Sequence, residues 1–403
     1  MLQKQLLTYR EELSRELDGI LKYWIKNTPD LIQGGFIGQI NEAGLTIAMA
    51  DKGSVLNARI LWSFSAAFNL TGDGIYLQYA ERAFKYISSY FIDKQFGGVY
   101  WSVNYKGVKE NPRKQIYATA FTIYGLAEYY RATRISNVLD IAVGLYKIVV
   151  EKSHDQQNGG YFEAFDQDWS PIEDLRLSQK DINVQKSMNT NLHILEAFSN
   201  LYSIWPDQDL KYHIRSLLTD FTEHIIHPDL NAQVLFFDNL WNPKSTTISY
   251  GHDIEASWLL LESGEITGEI DLIEQFKVQA LKLATQALTG LDTDGGLFYE
   301  FEPDRKQLIT EKHWWVQAEA MVGFFNAWEI SNNQQFLDAS LKSWQFTKQY
   351  ILDKNQGEWF WGVGEDHLPM PGQDKVGIWK CPYHNTRACI ELIRRISINP
   401  AIR

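Results

Sequence analysis

Six stretches rich in glycine and aromatic residues decide the fold: QGGFIG at Gln33–Gly38, FGGVYWSV at Phe96–Val103, NGGYFEAF at Asn158–Phe165, NAQVLFF at Asn231–Phe237, DGGLFYEF at Asp294–Phe301 and QGEWFWGV at Gln356–Val363. Anchored on Gly34, Gly97, Gly159, Ala232, Gly295 and Gly357, they follow one another at 63, 62, 73, 63 and 62 residues. A near-constant period marks one supersecondary unit repeated along the chain. About sixty residues hold two helices of roughly fifteen residues plus their connections, so the unit reads as a helical hairpin. Six hairpins with little strand sequence between them predict an all-α fold. It is an (α/α)6 barrel of two concentric rings, with short β-hairpin-like segments in the loops. Neighbouring hairpins must pack on one another to bury their apolar faces, so residues 1–403 are expected to form a single domain.

The composition fits a globular protein, with 45% hydrophobic and 22% charged residues. Fourteen Trp, 20 Tyr and 21 Phe exceed the usual aromatic share. Most of these fill the core, and a surplus lining a concave site is what stacking on sugar rings requires. A net charge of −12 disfavours nucleic acid and anionic membrane surfaces, which select for basic patches. The two cysteines, Cys381 and Cys389, fall on one predicted helix and imply a reducing compartment without a disulfide framework. The N-terminal MLQKQLLTYREELSREL lacks the apolar core of a secretory signal, and no run approaches the length of a membrane span. These features predict a cytoplasmic protein.

Each glycine–aromatic stretch is followed by a loop and then by a helix with apolar spacing. The helix starts read NARILWSFSAAF from Asn57, YATAFTIYGLAEYY from Tyr117, NTNLHILEAFSNLY from Asn189, HDIEASWLLLES from His252, WWVQAEAMVGFF from Trp314 and HNTRACIELIRR from His384. Because the units repeat, the six starts should lie at one end of the barrel. Arg59, Tyr117, Asn189, His193, His252, Glu255, Trp315 and His384 would then converge on one pocket. A cap or a satisfied core polar group explains any one of them about as well as function does. Eight at equivalent places are harder to explain that way.

Histidine is the side chain best suited to giving and taking protons near neutral pH. Of nine histidines, His193, His252 and His384 stand at the converging helix starts. His154, His213, His224, His227, His313 and His367 are flanked by charged or loop-forming residues and are expected at the surface. Three positions on a helix place His252 and Glu255 on one face, where the carboxylate would orient the imidazole. The same pair could ligate a metal, but no tight second pair accompanies it. Two imidazoles and an arginine in an aromatic pocket suit proton abstraction beside a carbonyl, and Arg59 could stabilise the enediolate that forms. Such chemistry needs no cofactor. A glycoside hydrolase on the same fold would need two opposed carboxylates, for which Asp181, Asp253 and Glu319 are candidates. A sugar-binding scaffold would explain the tryptophans and leave the histidines without a reason.

At these residues the chain resembles the N-acylglucosamine 2-epimerase superfamily, and most closely its cellobiose-epimerising group. The segments that carry the resemblance are SVLNARILWSFS (Ser54–Ser65), GGVYWSV (Gly97–Val103), KSMNTNLHILEAF (Lys186–Phe198), SYGHDIEASWLL (Ser249–Leu260), HWWVQAEAMVGFFNAW (His313–Trp328) and WKCPYHNTRACIEL (Trp379–Leu392). The resemblance implies an (α/α)6 barrel in agreement with the repeat. It implies that His252 and His384 form the acid–base pair at C2, that Glu255 supports His252 and that His193 assists ring opening. Arg59 would face the enediolate oxygens. Tyr117, Asp181, Asn189, Trp314, Trp315 and Trp379 are the expected sugar contacts, with Trp379 as a platform for a second sugar unit. Val55 and the HNTR motif depart from the family pattern without touching a proton-transfer group. The expected partner is a small sugar, a β-1,4-linked disaccharide, with epimerisation of free mannose or aldose–ketose isomerisation as the alternative within the superfamily; no metal is expected, and the expected assembly is a monomer or weak homodimer.

Overall fold

The computed structural model describes residues 2–400. Twelve α-helices account for most of the described chain: α1 (Leu2–Asn27), α2 (Ser54–Thr71), α3 (Gly74–Tyr86), α4 (Ile116–Thr133), α5 (Ser136–Ser153), α6 (Met188–Tyr202), α7 (Gln208–Asp220), α8 (Tyr250–Thr267), α9 (Ile270–Ala287), α10 (Trp314–Ser331), α11 (Gln334–Phe346) and α12 (Tyr383–Ile398). The even-numbered helices are the inner ring. In α2, every residue from Ser54 to Ala67 is buried, and α4 is buried in the same way from Ile116 to Tyr129. A helix covered on all sides belongs in an interior. The odd-numbered helices bury one stripe, as α1 does with Leu6, Tyr9, Leu13, Leu17, Ile20, Leu21 and Trp24. Inner helices pack in the order α2, α4, α6, α8, α10, α12 and back to α2, which closes the ring. Five hairpins run from inner to outer helix. The sixth is assembled from the two ends of the described chain, where α1 packs against α12.

The two ends of the barrel differ because their connections differ. From inner to outer helix the chain turns within residues 72–73, 134–135, 203–207, 268–269 and 332–333. Left-handed caps at Gly72, Arg134, Gly268 and Asn332 stop the inner helices there, and Asp73, Asp207 and Asn333 start outer helices with side-chain caps. The return connections, at the other end, are long. They carry the glycine–aromatic stretches and short antiparallel pairs that lace each loop to the next. Lys52–Gly53 pairs with Ser102–Val103, Lys114–Gln115 with Ala164–Phe165, and Lys186–Ser187 with Phe236–Phe237. Ile248–Ser249 pairs with the strand Glu300–Glu302, and Lys312–His313 with Gly362–Val363. An Ile40–Val376 bridge joins the first loop to the last.

Five of the six turns are also pinned by an ion pair from a buried lysine, at Lys52–Asp30 (2.8 Å), Lys114–Asp93 (2.6 Å), Lys186–Asp155 (2.8 Å), Lys312–Asp292 (2.6 Å) and Lys375–Asp353. The aspartate accepts backbone N–H groups of its own turn as well, as Asp93 does from Gln95 and Phe96. The fourth repeat differs. His227 stands in the aspartate's place and accepts from Asp229 and Leu230 N–H, while Ile248 replaces the lysine. There the residue with positive φ is Asn231 (50°), where the third repeat has Gly159 (78°). The fourth anchor is therefore Asn231 and not Ala232, one residue earlier than the aromatic pattern implies. Asparagine tolerates the left-handed region well enough to stand in for glycine.

Candidate active site

The six inner helices begin at the end of the barrel that carries the long loops, around a cavity of about 420 Å3. All eleven residues expected at the site line it. Arg59 comes from α2, Tyr117 from α4, Asn189 and His193 from α6, His252 and Glu255 from α8, Trp314 and Trp315 from α10, and His384 from α12. Trp379 reaches it from the loop before α12. Asp181 overhangs it from the loop before α6, beside Leu177, Ser178 and Lys180. Tyr299, His313, Trp361 and Gln373 complete the wall. Residues as far apart in sequence as Arg59 and His384, 325 positions, meet because equivalent points of a closed repeat share one end.

Each of the three histidines has its Nδ1 engaged. His384 Nδ1 lies 2.7 Å from Glu319 Oε1, His193 Nδ1 is 2.8 Å from Glu196 Oε2, and His252 Nδ1 is 2.8 Å from Ser249 Oγ. A carboxylate can only accept, so neutral His384 and His193 carry their proton on Nδ1 and keep a lone pair on Nε2. The Trp315 ring lies beside both outer members of the set, 4.8 Å from the His252 ring and 5.7 Å from that of His384. Arg59 is buried, donates to Tyr117 Oη at 2.7 Å and lies 4.1 Å over the Phe121 ring. Among the described residues no carboxylate pairs with it, so its charge is available to an anion in the cavity.

Beneath the histidines sits Arg387, fully buried. Its guanidinium donates to Glu196, to Tyr383 Oη, to Glu255 Oε1 at 2.5 Å and to Glu319 Oε1 at 2.6 Å. One cation thus binds the two carboxylates that orient His193 and His384. This corrects the expected partner of His252. Glu255 does share its helical face, but a charge-assisted bond to Arg387 is stronger than one to a neutral imidazole, and the carboxylate turns that way. The hydroxyl of Ser249 takes its place. Glu255, Glu319 and His384 bring their ligand atoms together as a metal centre would. The guanidinium donates to both carboxylates of that set and already occupies the position of the cation.

Burial dominates the titration of the site. It lowers His252 to about 3, with help from nearby His193 and against the pull of Glu319. His384 is held well below 6.5 by burial and then by Arg59 and Arg387. His193 is also lowered by burial, against the opposing effect of Glu196. All three imidazoles are therefore neutral at neutral pH and able to accept a proton. Burial works against the charge of Glu196, but Arg387 outweighs it and holds the carboxyl at about 2. Glu255 is pushed up to about 8 by burial and by Glu319, despite Arg387.

Other placements correct the sequence reading. His313, expected at the surface, is buried, stacks 4.1 Å from the Tyr299 ring and bonds Glu311 at 2.8 Å. His213 is buried too, with Nδ1 3.0 Å from Tyr161 Oη. Charged neighbours in sequence misled in both cases: Glu311 pairs with the His313 ring instead of drawing it into solvent, and the His213 ring packs on Tyr146 and Tyr161. Cys381 precedes α12 instead of sharing a helix with Cys389, and accepts a long contact from Arg59 at 3.9 Å. Of the carboxylates considered for hydrolysis, Asp253 accepts from Gln233 N–H at 2.7 Å away from the cavity, and Glu319 is engaged by His384 and Arg387. Arg387, Glu196 and Ser249 were missed as site residues. His193 and Glu196 have the same three-residue spacing that drew attention to His252 and Glu255, so that signal was present.

Such a barrel, with such a pocket, defines a carbohydrate epimerase, an enzyme of the isomerase class, and known proteins give the ground for saying so. The chain belongs to the N-acylglucosamine 2-epimerase (GlcNAc 2-epimerase) family, whose model matches residues 35–388. It is 44% identical to a cellobiose 2-epimerase of Bacteroides fragilis over 95% of this chain and 98% of the relative. A cellobiose 2-epimerase of Dictyoglomus turgidum is 40% identical over 97% of this chain and all of its own. The solved cellobiose 2-epimerase of Bacillus thermoamylovorans superposes with a TM-score of 0.93 at 38% identity, covering 96% of this chain and 99% of that one.

Proposed function

We propose that the protein epimerises the reducing-end sugar of a β-1,4-linked disaccharide at C2, converting cellobiose to glucosyl-mannose. One observation carries the proton chemistry: two imidazoles with Nε2 left for the substrate flank the Trp315 ring, beside a buried arginine with no carboxylate partner among the described residues. His193 assists opening of the ring to the aldehyde, which makes the C2 hydrogen acidic. Nε2 of one of His252 and His384 takes that proton. Negative charge then gathers on O1, where Arg59 and the N-terminal ends of the inner helices are arranged to stabilise it. Rotation about C2–C3 presents the other face, and the second imidazole protonates it. Tyr117, Asn189 and Trp315 hold the reacting sugar, while Trp379 and Asp181 stand where a second unit would lie. The ring of twelve helices works as one domain, as a monomer or weak homodimer.

Incubation with cellobiose in D2O, followed by NMR, tests this reading. Deuterium at C2 of a new glucosyl-mannose supports it. Free glucose overturns it in favour of hydrolysis. Exchange at C2 of free mannose, with cellobiose untouched, keeps the proton chemistry and moves the substrate to a monosaccharide.

A further inference from the structure

Two inner helices begin with a serine at the N-cap, and the two hydroxyls do different things. Ser187 opens α6 and accepts from Thr190 N–H at 3.1 Å, as an N-cap serine ordinarily does. Ser249 opens α8 at the equivalent place, is fully buried and makes no cap bond. Its Oγ is turned instead to His252 Nδ1 at 2.8 Å. A helix that gives up its cap loses stability, so the hydroxyl is held there by something other than the needs of α8. We propose that Ser249 is a positioning residue for His252: it fixes the imidazole ring with Nε2 toward the sugar and leaves it a neutral partner in place of a carboxylate.

The inference rests on the proposed role of His252. The chemistry of the partner matters because a carboxylate forces the proton of a neutral imidazole onto Nδ1, whereas a hydroxyl can donate as well as accept. His252 is therefore the one histidine of the three not locked by an acid. The charged groups around it are His193 on α6, Glu319 on α10, and Glu255 on its own helix, itself bound by Arg387 of α12. Lys180 and Asp181 face the same cavity from the overhanging loop. None of them bonds the imidazole, so among the described residues Ser249 makes the hydrogen bond that orients the ring, with Trp315 packed 4.8 Å from it.

The test is a set of variants of the full chain assayed on cellobiose across pH. Ser249→Ala should lower kcat about 10- to 100-fold with KM nearly unchanged, the range typical of losing the group that orients a functional histidine. Ser249→Thr, which keeps the hydroxyl, should recover most of the rate. Ser249→Asp supplies a carboxylate that favours imidazolium, so the acid limb of its pH–kcat profile should move to higher pH. Ser187→Ala should lower the melting temperature more than Ser249→Ala does, because only Ser187 caps its helix. Ser249→Ala with wild-type kcat and pH profile overturns the inference while His252→Asn remains inactive. An active His252→Asn overturns the underlying role of His252 instead.

Discussion

Arg387→Met removes the single guanidinium that three buried carboxylates share, and its cost can be worked from Glu196. That carboxyl titrates at about 2 in the fold against an ordinary 4.5, and Arg387 is the largest influence lowering it. The difference, which Arg387 shares with His193 and Tyr383, corresponds to about 3 kcal/mol of stability at neutral pH. Unfolding a 403-residue chain at about 2.1 cal/mol/K per residue gives an entropy of about 0.85 kcal/mol/K, so the midpoint should fall by about 4 °C. The sign of the pH effect follows from the direction of the shift. Glu196 is depressed in the fold, so its contribution is complete above pH 4.5 and disappears as pH falls toward 2. The gap between wild type and variant should therefore be widest near pH 7 and narrow below 4.5. Differential scanning calorimetry at pH 7, 5 and 3.5 measures it. A variant that melts within a degree of wild type at pH 7, or a gap that does not change with pH, would refute the reasoning. Turnover should fall with stability, because Glu196 and Glu319 orient two of the histidines.

His252→Asn and His384→Asn should each lower turnover by about 100-fold or more and leave the sugar affinity within a few-fold, as isothermal titration with cellobiose would report. Lys114→Met leaves Asp93 ionised and buried, at a cost of about 3–5 kcal/mol in urea unfolding; adding Asp93→Asn should restore much of it by keeping the turn's acceptor without its charge. His213 is lowered to about 4 by burial, with His154 beside it, so the native state resists its protonation and loses stability as pH falls from 6.5 through 4. His213→Gln should flatten that stretch of the stability–pH curve, and unchanged urea midpoints between pH 7 and 5 in both proteins would count against the assignment.

The barrel was legible because its signal was distributed. Six turns of similar composition at similar spacing outweigh the local irregularity of any one, which is why the misplaced anchor at Ala232 did no harm. Eight of the eleven residues at the cavity were legible for the same reason, since helix starts in equivalent units must share an end; Asp181, Trp314 and Trp379 were expected only through the family resemblance. Side-chain partnership was not. Spacing placed Glu255 on the same face as His252, but its bond goes to an arginine 132 positions away, and no local pattern announces that. Arg387 was hidden in a helix whose other turns read as ordinary apolar packing. The five buried lysines that hold the turn aspartates were hidden likewise, because each pair looks in sequence like a solvated surface pair. His313 shows the reverse error, a charged neighbourhood along the chain that encloses a stacked and buried ring.

Closure of the ring by α1 and α12 has a consequence for how the molecule comes into being. Of the barrel's twelve helices α1 is made before the others, and its apolar stripe stays uncovered until α12, made after them, docks. The same late helix delivers His384 and Arg387. Until it docks, Glu196, Glu255 and Glu319 have no shared cation and the cavity lacks one of its three central histidines. A barrel in which α12 has not docked therefore has both an open ring and an incomplete cavity, so closing the fold and completing the site become a single event.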